Sequence, residues 1–366
     1  MAMSKYQELA KTLRKQIADG ACPDLLPAEN VLADSYGVSR QTVRSALACL
    51  VREGLVEKRQ GSGTRLRTQR VRPGRRIAVV PCYINDYIFP GVLQDVQLTL
   101  TRQGYTPILF TTLNQSALER EILQRILAAP DLCGVIMEGV RTALPNPNLD
   151  FYRRLSDEGI PVVFLYGCCA EVAALPHMFC VADDNVGGGY RLVQYLAGLG
   201  HTQIAGIFKS DDRQGPQRYY GCACAARDSG LAFRNQNTLW YTTEDRQELL
   251  DYGKTELLKG FITGRLADCT AVVCYNDEIA YPLLRFLQAS GIRVPEDISL
   301  VSFDNAPSVS AVRITSLAHA QTAAGQAAAR CLIDNLCGKH TEAEALPWTL
   351  VKHGSVAPRP GSEGSL

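Results

Sequence analysis

Residues 26–64 read LPAENVLADSYGVSRQTVRSALACLVREGLVEKRQGSGT, and this stretch decides the fold of the amino-terminal part. A short helix is predicted from the helical spacing of Val31, Leu32 and Tyr36, and we expect it to bury these residues. Gly37 ends this helix. Ser39 is typical of an N-cap, and a second apolar stripe at helical spacing follows it. Two helices joined by a short turn that contains glycine are the helix-turn-helix pattern.

The outer face of the second of these helices carries Arg40, Gln41 and Arg44, opposite the apolar stripe. In a helix-turn-helix this end of the helix enters the major groove of DNA, where Arg pairs with guanine and Gln with adenine. Solvated helix surfaces also carry arginines, so this face alone leaves both interpretations open.

The flanking segments complete the pattern. Upstream, apolar residues between Tyr6 and Ile17 predict one more amphipathic helix. Downstream, residues 55–67 predict two short strands around the tip Gly61-Ser62-Gly63, where glycines let the backbone approach a phosphate chain closely. Helices followed by such a wing predict a winged helix-turn-helix, which is an α+β domain.

The distribution of charge favours nucleic acid as a partner of this part. Residues 1–76 contain fifteen Lys and Arg against seven Asp and Glu, although the whole chain of 366 residues has a net charge of only +1. A small basic module on a larger acidic body indicates a nucleic-acid-binding domain joined to a domain of another kind. A basic surface without a partner is the alternative that charge alone leaves open.

From Ile77 onward, short β-branched segments alternate with helical patterns. The predicted strands include 77–81, 107–110, 134–138, 161–165, 203–208, 238–242, 271–275 and 298–303, and the predicted helices include 91–103, 116–128, 216–229, 244–260 and 277–290. This alternation is typical of parallel sheets with helices on both faces. Because there are too many units for one sheet, we expect two α/β lobes that bind a ligand between them, beyond the carboxyl ends of the strands.

Polar and aromatic side chains follow several of these strands. They are Asn85, Asp86, Tyr87, Ile88 and Phe89 after the first strand, Glu138 and Arg141 after the third, Asn276 and Asp277 after 271–275, and Asp304 and Asn305 after 298–303. Such residue types bind sugars, because hydroxyls need donors and acceptors and the C–H face of a sugar packs on aromatic rings. Asp and Asn are also common turn residues, so each position has a purely structural alternative.

Other classes of protein are disfavoured. Hydrophobic residues make up 46% of the chain and no run of about 18 apolar residues occurs, which argues against disorder, a membrane span and a signal peptide. The thirteen cysteines include no CxxC spacing, so we expect reduced thiols, no metal and no cofactor in a cytoplasmic protein. GxSxG, HExxH and P-loop motifs do not occur, and the adjacent Asp183 and Asp184 would point to opposite faces, so we do not expect an enzyme such as a glycoside hydrolase.

The amino-terminal pattern resembles the winged-helix domain of the GntR family of bacterial transcription regulators, over residues 4–67. In that family the Glu of the second helix, the SRxTVR segment and the wing glycines meet operator DNA. The resemblance implies that the DNA-binding residues here are Lys5, Glu29, Ser39, Arg40, Gln41, Thr42, Arg44, Gln60, Gly61 and Gly63. Ala28 stands where Ser or Thr usually precedes the Glu, which predicts a weaker cap of the second helix.

The body resembles the effector domain of the lactose and galactose repressor family, which shares the fold of periplasmic sugar-binding proteins. The resemblance rests on VADDNVGGGYRLVQYLAGLGHTQIAGIF (181–208), RYYGCACAARDSGL (218–231) and CYNDEIAYPLLRFLQASGIRVPEDISLVSFDN (274–305). A GntR-type head on this body, with YINDYIFPGV (83–92) and SDDRQGPQRYYG (210–221), is similar to repressors that respond to L-arabinose. Together with the strand-end rule, these resemblances imply the effector-binding residues Tyr87, Phe89, Glu138, Asp184, Gln214, Arg218, Asn276, Asp277, Asp304 and His319.

The resemblances imply a sugar-responsive repressor, with a winged helix-turn-helix followed by a two-lobed α/β effector domain of the periplasmic-binding-protein type. We expect a DNA-binding domain at 1–67, a basic linker at 68–76, the effector domain at 77–358 and a flexible tail at 359–366. The expected partners are double-stranded operator DNA, a monosaccharide and a second copy of the chain in a homodimer, and no membrane.

L-Arabinose is the first candidate effector, but two departures from the arabinose-responsive pattern leave the sugar open. Gly139-Val140-Arg141 stands where those relatives carry Pro-Thr-Lys, and Cys222 replaces their Phe. Because such changes beside a ligand alter the choice between similar sugars, another sugar, a sugar phosphate or a different metabolite stays an alternative.

Overall fold

The computed structural model describes most of the chain. This part comprises residues 5–18, 22, 25–52, 55–59, 63–66, 74–84, 87–306, 313–319, 324–339 and 345–359. The predicted DNA-binding residues Gln60 and Gly61, most of the predicted linker and nearly all of the predicted tail lie outside these residues.

The first part of the chain forms three helices and a two-stranded antiparallel sheet. They are α1 (Lys5–Ala18), α2 (Glu29–Tyr36), α3 (Arg40–Arg52), β1 (Val56–Arg59) and β2 (Gly63–Leu66). Leu13, Val43 and Leu50 are buried in a core that all three helices share, as their spacing predicts. Val31 was expected to face this core, but 47% of it is exposed, so that prediction is wrong and the buried stripe of α2 begins at Leu32.

The ends of these helices follow local backbone chemistry. Gly37 ends α2 with φ of +61°, a left-handed conformation that favours glycine. The Ser39 hydroxyl accepts a hydrogen bond from the amide of Thr42 at 3.1 Å, so Ser39 caps α3 as predicted. Ala28 at the start of α2 makes no side-chain cap hydrogen bond.

The second part of the chain contains the remaining elements. The strands are β3 (Arg76–Val80), β4 (Thr106–Leu109), β5 (Leu132–Glu138), β6 (Val162–Leu165), β7 (Met178–Val181), β8 (Ile204–Lys209), β9 (Thr238–Tyr241), β10 (Ala271–Cys274), β11 (Ser299–Asp304), β12 (Thr315–Ala318) and β13 (Thr349–Val351). The helices are α4 (Phe89–Arg102), α5 (Ser116–Ala128), α6 (Leu149–Asp157), α7 (Ala170–Ala173), α8 (Asn185–Gly198), α9 (Gln214–Asp228), α10 (Thr243–Leu250), α11 (Glu256–Arg265), α12 (Asp277–Ala289) and α13 (Ala324–Leu336).

These elements form two α/β lobes, which confirms the predicted fold class. Lobe I contains a parallel sheet in the order β4-β3-β5-β6-β7, and lobe II contains a sheet in the order β13-β12-β11-β10-β8-β9, in which only the β12–β13 pair is antiparallel. Apolar side chains fill a core on each face of both sheets, because each central strand is buried on both sides.

The chain passes between the lobes after β7, after β12 and after α13, since α13 packs on the sheet of lobe I. The first and third passages pair with each other: the Asp184 amide donates to the Leu346 carbonyl at 3.0 Å, and the Leu346 amide donates to the Ala182 carbonyl at 2.8 Å. Paired passages of this kind connect the two lobes as a hinge.

The predicted helix over 244–260 is wrong, because two helices, α10 and α11, occupy this region. Gly253 lies between them with φ of +66°, a left-handed backbone that interrupts a right-handed helix. Thr242 caps α10 through a reciprocal hydrogen-bond pair with Asp245, which fixes where that helix begins.

Candidate functional site

A cavity lies between the lobes, where the carboxyl ends of strands from both sheets face each other. Lobe I lines it with Cys82, Tyr83, Tyr87, Ile88, Phe89, Asn114, Glu138 and Tyr166; lobe II contributes Lys209, Asp212, Gln214, Tyr241, Arg246, Tyr275, Asn276, Glu278 and Asp304; and His319 follows β12 at the second passage. This is the position in which parallel α/β lobes bind ligands.

The structure brings most of the expected effector-binding residues together at this cavity. Seven of the ten line it: Tyr87, Phe89, Glu138, Gln214, Asn276, Asp304 and His319. Arg218 and Asp277 lie behind its wall, where they hold residues that do line it. Asp184 lies elsewhere, because its carboxylate caps α8 and accepts a hydrogen bond from the Gly187 amide at 2.9 Å.

Arg218 anchors the end of β11. The residue is 1% exposed, and its guanidinium lies 3.4 Å from the Asp304 carboxylate and donates to the Asn185 side chain at 2.9 Å. The same group stacks on the Phe303 ring at 4.2 Å from the ring centroid. Burial lowers the pKa of Arg218, but Asp304 and the other acidic groups around it, Asp183 among them, together outweigh burial, so the pKa is raised and the guanidinium stays charged.

Tyr87 reaches from lobe I to lobe II. Its hydroxyl accepts a hydrogen bond from the Asp277 amide at 3.1 Å and lies 3.4 Å from the Phe303 carbonyl. The Asp277 carboxylate in turn accepts hydrogen bonds from the Ala306 amide and the Ser316 hydroxyl, at 2.8 and 2.9 Å. Burial and the nearby Asp304 raise the pKa of Asp277 to about 7. This side chain therefore fixes the loop after β11 and does not face the cavity.

His319 connects the hinge to the cavity. Its Nδ1 atom lies 3.2 Å from the Asp183 carboxylate, and its Nε2 atom lies 3.5 Å from that of Asp304. The imidazole also packs on the Trp348 ring, with 4.8 Å between ring centroids. Burial lowers the pKa of His319, but the hydrogen bond with Asp183 and the charge of Asp304 outweigh it and raise the pKa above its ordinary value.

A carboxyl group and a buried lysine face each other across the cavity. Glu138 accepts a hydrogen bond from the Cys82 amide at 2.7 Å, and burial together with the nearby Asp212 raises the pKa of Glu138 to about 7. Lys209 pairs with Asp212 at 2.6 Å and with Asp211 at 3.6 Å. Burial lowers the pKa of Lys209, but these two carboxylates outweigh it and raise the pKa.

Arg246 is the arginine of the described lining. It forms a forked pair with Glu278, in which Nε lies 2.8 Å from one carboxylate oxygen, and its guanidinium packs over the Tyr83 ring at 4.9 Å. Lys209 and Arg246 are thus both paired with carboxylates of their own lobe.

Backbone strain is concentrated around the cavity. Tyr87, Tyr166 and Asp304 line it with φ of +61°, +65° and +90°, and Arg141 beside it has φ of +44°. Left-handed conformations are rare for residues other than glycine and persist where the surrounding structure fixes them. Their occurrence in segments that border the cavity indicates a site in which the fold sets the direction of the side chains.

Sequence reasoning missed ten residues of this lining. They are Cys82, Tyr83, Asn114, Tyr166, Lys209, Asp212, Tyr241, Arg246, Tyr275 and Glu278. Tyr166 directly follows β6, and Lys209 and Tyr241 end β8 and β9, so the strand-end rule would have found these three if it had been applied to every strand. Cys82 and Tyr275 adjoin strands to which the rule was applied, but only residues further along the chain were selected there. Arg246 lies within a helix and gives no comparable signal.

The predicted DNA-binding residues of α3 lie on an exposed face. Arg40, Gln41 and Arg44 are exposed, and the Glu29 carboxylate accepts a hydrogen bond from Arg44 at 2.7 Å and from Lys58 of β1 at 2.8 Å. These two hydrogen bonds lower the pKa of Glu29. The Glu29 carboxylate thus connects α2, the outer face of α3 and the wing. Lys58 lies on the same surface as the predicted DNA-binding residues, although the sequence pattern had not selected it.

The remaining predicted residues of this surface lie at helix and strand ends. Lys5 begins α1 and is exposed, Ser39 and Thr42 share a hydroxyl contact of 2.8 Å at the start of α3, and Gly63 begins β2 with φ of +83°. A groove between α3 and the wing separates Arg40 and Arg44 from the wing residues. The arrangement is that of a winged helix whose cationic face is open to a duplex.

A winged helix joined to a two-lobed binding-protein fold defines the class of DNA-binding regulators that carry a ligand-binding domain. Comparison with family models agrees: residues 5–66 match the gntR family of bacterial regulatory proteins, and residues 193–356 match a periplasmic binding protein-like domain.

Similar proteins of known role narrow this class. The chain is 34% identical over 344 residues to the arabinose metabolism transcriptional repressor of Halalkalibacterium halodurans, covering 90% of this chain and 88% of that protein. It is 35% identical over 339 residues to the repressor of the same name from Geobacillus stearothermophilus, covering 90% and 91%. The chain belongs to this family of transcriptional regulators, in which a GntR-type DNA-binding domain precedes a binding-protein-like domain, and it is not an enzyme.

Solved structures share the architecture at lower identity. A complex of the transcriptional regulator CelR with cellobiose has a TM-score of 0.64 at 23% identity and covers 90% of this chain and 99% of its own. A periplasmic binding protein/LacI transcriptional regulator from Alkaliphilus metalliredigens, complexed with D-xylulofuranose, has a TM-score of 0.64 at 19% identity and covers 77% and 99%. These likenesses show the fold. The described helices include none that is long and apolar enough to cross a membrane.

Proposed function

We propose that this regulator is a repressor that leaves its operator when a neutral monosaccharide occupies the interlobe cavity, with L-arabinose as the first candidate. The observation that carries the proposal is the cavity itself, in which amide, carboxyl and phenol groups converge from both lobes beside the Phe89 ring. These groups suit hydroxyls and a C–H face. The names of the two arabinose metabolism repressors at 34% and 35% identity support L-arabinose.

A neutral sugar fits this cavity better than a sugar phosphate does. Lys209 and Arg246 are each paired with a carboxylate, and the described lining also includes Glu138 and Asp304. A phosphate would therefore have to displace the existing carboxylate partner of each of these two cations. This argument favours an uncharged ligand over the alternative of a phosphorylated one.

Each expected residue has a separate role in this proposal. Tyr87, Gln214, Asn276, Asp304 and Glu138 hydrogen-bond the sugar hydroxyls, and Phe89 packs on its C–H face. Arg218, Asp277 and His319 hold those residues in place through the contacts described above, whereas Asp184 serves as the cap of α8.

At the other end of the chain, a homodimer presents two copies of α3 to the half-sites of an operator. Arg40, Gln41 and Arg44 contact base edges, and Lys5, Ser39, Thr42 and the wing glycines contact the sugar-phosphate backbone. Glu29 positions Arg44 and Lys58, because a carboxylate cannot itself donate to a phosphate. Such a regulator works in the cytoplasm, where the DNA is.

Thermal denaturation of the full chain with a panel of sugars tests the ligand class. The panel contains L-arabinose, D-xylose, D-ribose, D-galactose, D-glucose and the 5-phosphate of arabinose. A bound ligand at a hundred times its Kd stabilises the folded state by about 2.7 kcal/mol, which is a readily measured shift of Tm. Stabilisation by L-arabinose but not by its phosphate supports the proposal, whereas stabilisation by the phosphate alone contradicts it.

A further inference from the structure

A second set of contacts joins the lobes beside the cavity. Arg141, in the loop after β5, forms an ion pair with Glu244 of α10 and lies 3.9 Å from the Asp211 carboxylate after β8. The backbone amide of Arg141 donates to the Asn114 side chain at 3.1 Å, which ties this loop to the rest of lobe I. One arginine of lobe I therefore lies between two carboxylates of lobe II.

The same groups are linked again through buried side chains. The Asn114 amide donates across the cleft to the Thr243 hydroxyl at 2.8 Å, and that hydroxyl donates to Asp211 at 2.6 Å. Asn114, Thr243 and Asp211 are 4%, 6% and 4% exposed, so these hydrogen bonds are shielded from water. With Arg141 they form a closed ring of contacts that crosses the cleft twice.

Two backbone amides complete the junction. The Ala143 amide of lobe I donates to the Asp211 carbonyl at 3.1 Å, and the Arg213 amide of lobe II donates to the Thr142 hydroxyl at 2.9 Å. These two hydrogen bonds exist only while the lobes are together. Their amide protons therefore report directly on closure.

We propose that this ring of contacts is an interlobe latch, centred on Arg141, that stabilises the closed effector domain before any ligand enters. Of the described residues that form it, only Asn114 also lines the cavity, so the latch acts beside the ligand and leaves most of the lining free. A larger closed fraction raises the apparent affinity for any ligand that binds the closed form. The expected effect on sugar affinity rests on the proposed function, whereas the effect of the latch on closure of the lobes does not.

Amide hydrogen exchange on the full chain without sugar tests the latch. Arg141→Glu places like charges opposite Glu244 and Asp211, so peptides that contain Ala143 and Arg213 should exchange about tenfold faster than in the wild type. The charge-swapped double variant Arg141→Glu with Glu244→Arg restores the attraction across the cleft to position 244, although not to Asp211, and should recover part of the protection. Unchanged exchange in the single variant, or a double variant as fast as the single one, overturns the latch.

A matched control separates the latch from a general effect of removing an ion pair. Arg293 pairs with Asp297 within lobe II at 2.6 Å, and Arg293→Glu breaks that pair without touching the cleft, so exchange at Ala143 and Arg213 should stay at the wild-type rate. Glu244→Gln is a milder change at an exposed position and should speed exchange in the same direction by a smaller factor. Equal acceleration in Arg293→Glu contradicts the latch.

Calorimetry with the most stabilising sugar of the panel measures the consequence. Arg141→Glu should weaken sugar binding by about five- to tenfold, and Arg293→Glu should not change it. Unaltered sugar affinity together with unaltered exchange rejects the latch and leaves the proposed function intact. Exchange that responds as expected in a protein that binds none of the sugars supports the latch and rejects the proposed function.

Discussion

The guanidinium of Arg218 lies 3.4 Å from the carboxylate of Asp304, and only the second of these residues lines the cavity. Arg218 is buried behind Asp304, stacked on Phe303 and hydrogen-bonded to Asn185. The orientation of a carboxylate that would bind a ligand is thus set by a residue that the ligand does not touch. Variants at position 218 therefore test how far ligand binding depends on the orientation of the Asp304 carboxylate.

Arg218→Lys should weaken sugar binding by about tenfold or more, because a lysine keeps the charge but cannot hold Asp304 and Asn185 through one planar fork. Operator affinity without sugar should stay unchanged. Calorimetry and a DNA-binding assay on the same preparation check both statements. Arg218→Ala is the poorer test, since it leaves a buried carboxylate without its partner and should destabilise lobe II by about 3–5 kcal/mol. A fully folded Arg218→Lys protein with wild-type sugar affinity would refute the positioning role.

Arg44→Ala should lower specific operator affinity by about ten- to a hundredfold, the loss expected for one arginine that pairs with a base. Sugar affinity should not change, because Arg44 belongs to the DNA-binding domain. Fluorescence anisotropy with an operator selected from random-sequence DNA measures the effect. Lys11→Ala, exposed on α1 and outside the predicted surface, is the matched control. Equal operator affinity for Arg44→Ala and the wild type would show that α3 does not read the bases.

Glu138→Gln should remove part of the pH dependence of stability. The pKa of Glu138 is raised to about 7 in the folded protein from an ordinary value of 4.5, so the folded state holds this proton to higher pH than the unfolded state does. The free energy of unfolding therefore falls as pH rises from about 4.5 to about 7, by about 2–3 kcal/mol for this group, and is flat above.

Thermal denaturation without sugar at pH 5 and pH 8 measures this difference. The wild type should lose more stability between pH 5 and pH 8 than Glu138→Gln does. Asp277, whose pKa is also raised to about 7, contributes equally to the pH dependence of both proteins. Glu121→Gln, exposed on α5, should keep the wild-type profile. Parallel profiles for the wild type and Glu138→Gln would mean that Glu138 is ionised throughout this range.

Ala28→Ser should stabilise the DNA-binding domain by about 0.5–1 kcal/mol. Ala28 has the extended backbone of an N-cap, with φ of −57° and ψ of 152°, but offers no acceptor to the first amides of α2. A serine hydroxyl supplies that acceptor without a change of backbone. The unfolding transition of the amino-terminal domain in guanidinium checks the prediction, and an unchanged midpoint would mean that those amides already have adequate partners.

Local chemistry explains why much of the fold could be predicted. Ser39 as a cap and Gly37 as a helix end follow from rules that involve only near neighbours in sequence. The predicted helix over 244–260 was wrong because Gly253 was given no weight against the apolar pattern around it. Val31 was misplaced because a helix of eight residues leaves the direction of its buried face loosely defined by periodicity.

The candidate site was predictable only as far as strand ends reveal it. Tyr87, Asn276 and Asp304 follow strands and line the cavity, whereas the choice between Asp183 and Asp184 needed the structure. Neighbouring carboxylates point in different directions, and here Asp183 contacts His319 while Asp184 caps α8. Arg246 and Asn114 enter the lining through tertiary packing, which no local pattern in the sequence indicates.

The operator affinity of the full chain, with and without saturating L-arabinose, measures the coupling between sugar and operator. Two ligands that favour different forms of one protein weaken each other's binding. A coupling free energy of about 1–3 kcal/mol corresponds to a change of about 5- to 150-fold in the affinity for either ligand. We predict that L-arabinose weakens operator binding within that range, and that operator DNA weakens L-arabinose binding by the same factor. Operator affinity that stays constant while L-arabinose demonstrably binds would mean that the sugar does not release this protein from its operator.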